Sequence, residues 1–313
     1  MTTALFLVGG LILLYFGAEA LVRGGAALAL RLGIAPLIVG LTVVAFGTSA
    51  PEMVVSVSAA TTGAGGIALG NVIGSNICNI ALILGLAAVI RPMNVQVQLI
   101  RLDIPIMIGA SVALVVLLAD GSLGRLDGAL LAGTMAVYLW FLIAMARRDR
   151  NALAGAMEDT VHATSIPTGR GIVMVVVGLA LLILGGMFFV DGAVALAEGL
   201  GVSERVIGLT VIAIGTSLPE LATSVVASIK NEGDMSIGNV IGSNIFNILA
   251  ILGISALVAP LTATAFSLLD FGVMLGVAIC LFPLVRSGFR ISRLEGAFLL
   301  VVYVVYVTVV IVR

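Results

Sequence analysis

One histidine, one tryptophan and two cysteines are all that 313 residues hold of these side chains. The lone histidine, His162, lies in a polar stretch, which removes a histidine-based catalytic site or a multi-histidine metal site. Cys78 and Cys280 both sit inside apolar runs and read as packing residues, not as a disulfide framework. No nucleophile–base set is visible, so an enzyme is not expected. Charge is scarce too: Asp, Glu, Lys and Arg make up 10% of the chain, against about 25% in a soluble domain. A net charge of −1 leaves no basic face for nucleic acid.

What the chain has instead is apolar length. Hydrophobic residues are 61% of it and the mean hydropathy is +1.28, too much to cover with a water-facing surface. Apolar runs fall at 2–22, 35–61, 66–90, 103–119, 126–146, 171–197, 205–229, 235–259, 267–285 and 294–312. Each suits a membrane crossing, which takes about 20 residues and tolerates tilt. The expected fold is an all-α polytopic membrane protein with ten transmembrane helices. The first residues carry no positive charge of the kind that opens a signal peptide, so the first run is expected to remain as a helix. The polar stretch 147–170 divides the runs five and five, giving halves at 1–146 and 171–313 joined by a short linker.

Lys and Arg set the orientation. With the amino terminus outside, twelve of the 15 fall on the cytosolic side, among them Arg23, Arg91, Arg147, Arg148, Arg150, Lys230 and Arg290. Only Arg125, Arg205 and Arg313 fall outside, a strong positive-inside bias. Both termini are therefore expected to be extracytoplasmic and the linker cytosolic, in a cell (inner) membrane.

The halves repeat at an offset of 168 residues. Gly47-Thr48-Ser49-Ala50-Pro51-Glu52 falls on Gly215-Thr216-Ser217-Leu218-Pro219-Glu220, and, without a gap, Gly70-Asn71-Val72-Ile73-Gly74-Ser75-Asn76-Ile77 falls on Gly238-Asn239-Val240-Ile241-Gly242-Ser243-Asn244-Ile245. About 29 of the 53 positions in 40–92 are identical to their partners in 208–260. Five helices per half is an odd number, so the copies must insert with opposite orientation. Two inverted five-helix repeats, interrupted by Gly and Pro at matching places, predict a secondary transporter with its site at the midplane.

Glu52 and Glu220 fall about midway along the second and seventh runs. A charged side chain at the bilayer centre costs about 2.5–3.5 kcal/mol, so each should face protein, water or an ion. Pro51 and Pro219 lack an N–H and are expected to kink their helices, freeing carbonyls from about Ala45 to Thr48 and from Ala213 to Thr216. Thr48, Ser49, Thr216 and Ser217 add hydroxyls close to the carboxylates. Carboxylate, carbonyl and hydroxyl oxygens suit hard cations such as Ca²⁺ and Na⁺, and the absence of thiolates and imidazoles disfavours Zn²⁺ or Cu⁺. Ser75 with Asn79, and Ser243 with Asn247, lie four apart on one helix face and should meet the Glu-bearing helices. Ser and Asn also serve as hydrogen-bonding glue between membrane helices, and Gly70, Gly74, Gly238 and Gly242 let helices approach.

Asn71, Asn76, Asn239 and Asn244 read as cap and kink partners, not ligands. Glu19 and Arg23 form an i, i+4 pair. Asp103, Asp127, Asp191, Glu198, Asp270 and Glu295 read as caps or anchors near helix ends, and Tyr138 and Trp140 as interfacial or packing aromatics.

The doubled pair of motifs, G-T-S-x-P-E and G-N-V-I-G-S-N-I-x-N, resembles the α-repeats of the sodium/calcium exchanger family within the cation/Ca²⁺ antiporter superfamily. The resemblance covers nearly the whole chain. It implies ten helices in two inverted bundles and Ca²⁺ export driven by Na⁺ entry. It also implies that Glu52 and Glu220 are ligands shared by Ca²⁺ and Na⁺, with Thr48 and Thr216 adding backbone and side-chain oxygens. Ser49, Ser217 and the carbonyls of Ala45 and Ala213 would serve flanking Na⁺ positions, and Ser75, Asn79, Ser243 and Asn247 would line the centre. In K⁺-dependent and some archaeal branches the position of Asn247 is Asp; here both halves carry Asn, leaving two carboxylates. The linker is too short for the Ca²⁺-sensing domains of animal relatives. No cofactor is called for, the partners are the two cations and the lipid bilayer, and a monomer suffices. An antiporter of H⁺ against Ca²⁺ or another divalent cation is the alternative, since paired carboxylates can share a proton; an ion channel is a further one, though channels rarely need two inverted halves around one site.

Overall fold

The computed structural model describes residues 2–153, 166–200, 213–262 and 268–312. His162, Glu158, Asp159, Arg205, Arg313 and residues 208–212 of the second motif lie outside them, as does the side chain of Glu198. Of the described residues, 88% are helical. Its helices are α1 (Thr2–Leu32), α2 (Pro36–Thr48), α3 (Ala50–Thr61), α4 (Gly65–Ile90), α5 (Leu99–Asp120), α6 (Arg125–Leu153), α7 (Thr168–Gly199), α8 (Ala213–Thr216), α9 (Leu218–Ile229), α10 (Gly233–Val258), α11 (Leu268–Arg286) and α12 (Arg293–Val312). Among the described residues, eight are long and apolar enough to cross a membrane, and the bent pair α2–α3 makes a ninth. α9, with 12 residues, is too short to span alone. The span expected at 103–119 begins earlier, at Leu99, because a widened helical turn over Leu99–Asp103 carries the helix back into the polar loop.

α4 and α10 form the centre. Of their most apolar stretches 72% and 89% of residues are buried, against 11–39% for the other spans, which turn apolar faces outward. Each central helix is covered largely by the other half of the chain: α2 crosses α10, α8 meets α4, α6 packs on the end of α10 and α12 on the end of α4. The α2–α10 crossing is backbone against backbone. A Cβ on Gly238 would lie 2.8 Å from the Leu37 carbonyl oxygen, and one on Gly242 2.8 Å from that of Leu41. The equivalent atom on Gly74 would meet no described atom within 4 Å.

α1 runs alongside α7 over most of its length. Gly10, Gly17 and Gly24 face Gly171, Gly178 and Gly185, so that a Cβ on Gly178 would lie 2.7 Å from the Leu21 nitrogen and 2.8 Å from the Gly17 oxygen. Both stripes recur every seven residues, which keeps one glycine edge of each helix turned to its partner.

Two short ribbons join the halves. β1 (Met93–Asn94) pairs antiparallel with β4 (Arg290–Ile291), Met93 opposite Ile291, and β2 (Ser122–Leu123) pairs with β3 (Leu261–Thr262), Leu123 opposite Leu261. An offset of 168 turns β1 into β3 and β2 into β4, so each ribbon is the repeat image of the other with its register kept.

The polar residues outside the centre have definite partners. The Asp127 carboxylate accepts from the Gly124 N–H at 2.8 Å, and that of Glu295 from the Ser292 N–H at 2.7 Å, so both cap helix starts. Glu19 bonds Arg23 at 2.8 Å and also Lys230 at 2.9 Å, joining α1 to the end of α9. Tyr138 is the packing aromatic of the two readings: it is buried and donates to Asp103 at 3.0 Å, while its repeat partner Tyr306 donates to Asp270 at 3.1 Å. Asp103 lies in the first turns of the α5 span, near its start, as its place in the sequence suggests. Trp140 is exposed, as an outward-facing aromatic would be, and Cys78 is a buried free thiol.

Candidate cation site

Both Glu-bearing segments break at a serine, two residues before the proline. Between α2 and α3 the axis bends by 47° at Ser49 (φ −81°, ψ 8°), and Ser217 (φ −88°, ψ 8°) takes the same place between α8 and α9. Pro51 and Pro219 then occupy the first turn of the following helix, where a missing N–H costs nothing. The expected freeing of carbonyls is corrected at Ala45. Its oxygen accepts the Ser49 N–H at 3.0 Å and the Thr48 hydroxyl at 3.4 Å, because the bend lies beyond it. The carbonyl deprived of a partner by Pro51 is that of Gly47, four residues back.

The break turns each carboxylate towards the other half. Ser49 Oγ donates to Glu220 Oε1 at 2.9 Å, and Ser217 Oγ donates to Glu52 Oε1 at 3.1 Å. Glu52 and Glu220 are each 1% exposed, so this crossed pair is sealed from solvent. The second carboxylate oxygens, Glu52 Oε2 and Glu220 Oε2, have no hydrogen-bond partner among the described residues. Neither do Asn79 Oδ1, Asn247 Oδ1 and Ser243 Oγ, all on α4 and α10 and equally buried. Buried acceptors in such number cost free energy unless something positive meets them. Ser75 receives the Ser217 hydroxyl at 3.3 Å, which brings α4 into the same cluster. Thr48 is buried and donates to Asn239 Oδ1 at 3.1 Å. Thr216 ends α8, directly before the Ser217 break, and Ala213 begins it. Asn79 lies in, and Asn247 begins, a widened helical turn, at Cys78–Leu84 and Asn247–Leu252. Such turns loosen the backbone where side chains must be aimed.

Asn71 and Asn239 act as the kink partners their place in the motif suggests. Asn71 Nδ2 donates to the Glu52 carbonyl at 3.1 Å and to Ser56 Oγ at 3.0 Å. Asn239 Nδ2 donates to the Glu220 carbonyl at 3.4 Å and to Ser224 Oγ at 3.0 Å. Ser56 and Ser224 were not singled out by sequence; their place four residues after each Glu, on the same helix face, was the available signal. No group of three or more His, Cys, Asp or Glu converges among the described residues. The site therefore holds two acids surrounded by neutral oxygens.

Apolar spans interlocked around two buried, cross-bonded carboxylates define a polytopic membrane protein with a candidate cation site between its halves. The sodium/calcium exchanger protein family matches residues 2–144 and 170–312, and the chain belongs to that family as a cation/Ca²⁺ antiporter. It is 41% identical over 284 residues to inner membrane protein YrbG of Escherichia coli (strain K12), covering 89% of this chain and 87% of that one. It is 33% identical over 340 residues to sodium/calcium exchanger MaX1 of Methanosarcina acetivorans, covering 97% of each. A solved structure of the sodium-calcium exchanger NCX_Mj, soaked with 2.5 mM Na⁺ and 0.1 mM Ca²⁺, superposes with a TM-score of 0.85 at 33% identity over 98% of each chain.

Proposed function

We propose that the protein exchanges Na⁺ for Ca²⁺ across a cell membrane by alternating access, with Ca²⁺ export driven by Na⁺ entry. The observation that carries this reading is the crossed Ser49–Glu220 and Ser217–Glu52 pairing, which leaves one oxygen of each buried carboxylate free for a cation. Two carboxylates balance one Ca²⁺ or two Na⁺, and the same charge met by either cargo is the basis of exchange. Glu52 and Glu220 are the shared ligands. Thr48, Thr216, Ser49, Ser217, Ser75, Ser243, Asn79 and Asn247 supply neutral oxygens, and Ala213 its carbonyl. An oxygen set rich in hydroxyls and amides suits Na⁺ better than a proton, which needs only the carboxylates.

The two halves at 1–146 and 171–313 act as inverted repeats, a reading supported by the exchange of the two ribbons under the 168-residue offset. In this reading ten crossings put both termini on one side, and the positive-inside bias supports the outside for them and the cytosol for residues 147–170. The deciding experiment is ⁴⁵Ca²⁺ uptake by proteoliposomes loaded with Na⁺, K⁺ or acidic buffer. Uptake that requires an outward Na⁺ gradient supports the proposal. Uptake driven equally by a proton gradient without Na⁺ would replace it with H⁺/Ca²⁺ antiport, and flux uncoupled from either gradient would point to a channel.

A further inference from the structure

The polar contacts of the two Glu-bearing segments come in repeat-related pairs: Ser49–Glu220 with Ser217–Glu52, and Asn71–Glu52 with Asn239–Glu220. Where α4 and α10 cross, the pairing fails. Asn247 Nδ2 donates to Asn76 Oδ1 at 2.9 Å, and Asn76 Nδ2 donates to the Asn244 carbonyl at 3.3 Å. The repeat image of the first bond would run from Asn79 to Asn244. It is not made: both amide atoms of Asn79 and both of Asn244 lack a hydrogen-bond partner among the described residues, though each residue is only 1% exposed.

The neighbouring serines divide the same way. Ser75 Oγ receives Ser217, while Ser243 Oγ has no partner among the described residues. The backbone at the breaks differs as well. The Ser49 N–H reaches four residues back to Ala45, and the Ser217 N–H only three, to Ile214. Three independent contacts thus set the two halves in different local conformations around one site.

In a transporter built from two inverted copies of one motif, alternating access moves one copy against the other around a fixed site, so contacts made by one copy in one state have an image that the other copy can make in the second. We propose that Asn76 and Asn244 are state-selecting positioning residues: the amide bond Asn247–Asn76 found here is exchanged in the opposite-facing state for Asn79–Asn244. Each bond ties down one site asparagine and leaves the other's amide free to turn to the cargo. Asn79 is free in this conformation, and Asn247 is free in the other. An unpartnered buried amide such as that of Asn244 is costly to keep. The second state removes that cost at Asn244 and imposes it on Asn76. The proposal rests on the antiport reading above.

The test is the sidedness of Ca²⁺ affinity. Half-saturating Ca²⁺ would be measured at each face of oriented proteoliposomes for the native protein, Asn244→Leu and Asn76→Leu. Asn244→Leu removes only the bond of the other state. It should raise affinity at one face and lower it at the opposite face, changing their ratio about five-fold, the worth of one buried hydrogen bond. Asn76→Leu should change the ratio in the reverse direction. Asn244→Leu touches no hydrogen bond of its side chain here, so it is the decisive variant whatever becomes of Asn76→Leu. An unchanged ratio in a transporting Asn244→Leu protein overturns the exchange while leaving antiport intact. Equal losses at both faces, or shifts of the same sign in both variants, overturn it too. A native protein without Na⁺-dependent uptake would instead sink the antiport reading.

Discussion

Ser49 and Glu220 are separated by 171 residues and joined by a 2.9 Å hydrogen bond, and Ser217 and Glu52 repeat the relation at 3.1 Å. Each carboxylate is therefore aimed by a hydroxyl from the other half of the chain. Hydrogen bonds to charged groups are worth about 1.5–3 kcal/mol, so Ser49→Ala should weaken apparent Na⁺ affinity about ten-fold or more while the protein stays folded. Ser217→Ala should cost more, since Ser217 also reaches Ser75. Equal, small effects in Na⁺ titrations of Ca²⁺ release would count against this geometry.

Glu52→Gln or Glu220→Gln alone should abolish exchange in a protein that still purifies as a monodisperse species. A cation facing one carboxylate where two stood loses about the cost of a unit charge at midplane, about 2.5–3.5 kcal/mol, or a hundred-fold or more in occupancy. Ca²⁺ uptake near the native level by either variant would remove that residue from the site.

Asn247→Asp changes the site's formal charge from −2 to −3 and replaces the amide that donates to Asn76 with an acceptor. Weakened exchange in Na⁺ alone, or Ca²⁺ transport newly sensitive to K⁺, is the expected outcome of a K⁺ titration. Asn79→Asp should behave differently, because Asn79 has no hydrogen-bond partner among the described residues to lose. Unchanged apparent affinities for Ca²⁺, Na⁺ and K⁺ would take Asn247 off the site.

Gly178→Ala places a Cβ against backbone atoms of α1 that have nowhere to go, at 2.7 Å and 2.8 Å. Overpacking of this kind costs about 1–3 kcal/mol, and the detergent-solubilised variant should denature at a lower temperature. Gly276→Ala meets nothing within 4 Å among the described residues and serves as the control. A Gly178→Ala protein as heat-stable as that control would show that α1 and α7 can part freely.

The doubled motif made Glu52, Glu220 and their flanking oxygens legible, because a buried carboxylate repeated in identical surroundings has few structural explanations. Asp127 and Glu295 were legible as caps for a similar reason: the interaction is local. What sequence could not carry was distance along the chain. Glu19 announces Arg23 four residues on, but not Lys230, which lies 211 residues away. Tyr138 has the composition of an interfacial residue and becomes a buried donor only when α5 brings Asp103 to it. The kink was expected at the prolines, yet it falls at Ser49, because Pro51 fits the first turn of a new helix better than the end of an old one.

The two ribbons have a mechanical meaning. A two-residue pairing has no stability of its own, so each persists only because helices from both ends of the chain hold its strands in register. With the central helix of each half also roofed by the other, folding has woven two lengths of chain into one fabric with no seam between them. The covalent link between α6 and α7 should then matter for delivery and not for cohesion. Made as two separate polypeptides in one membrane, the halves should still find and clasp each other.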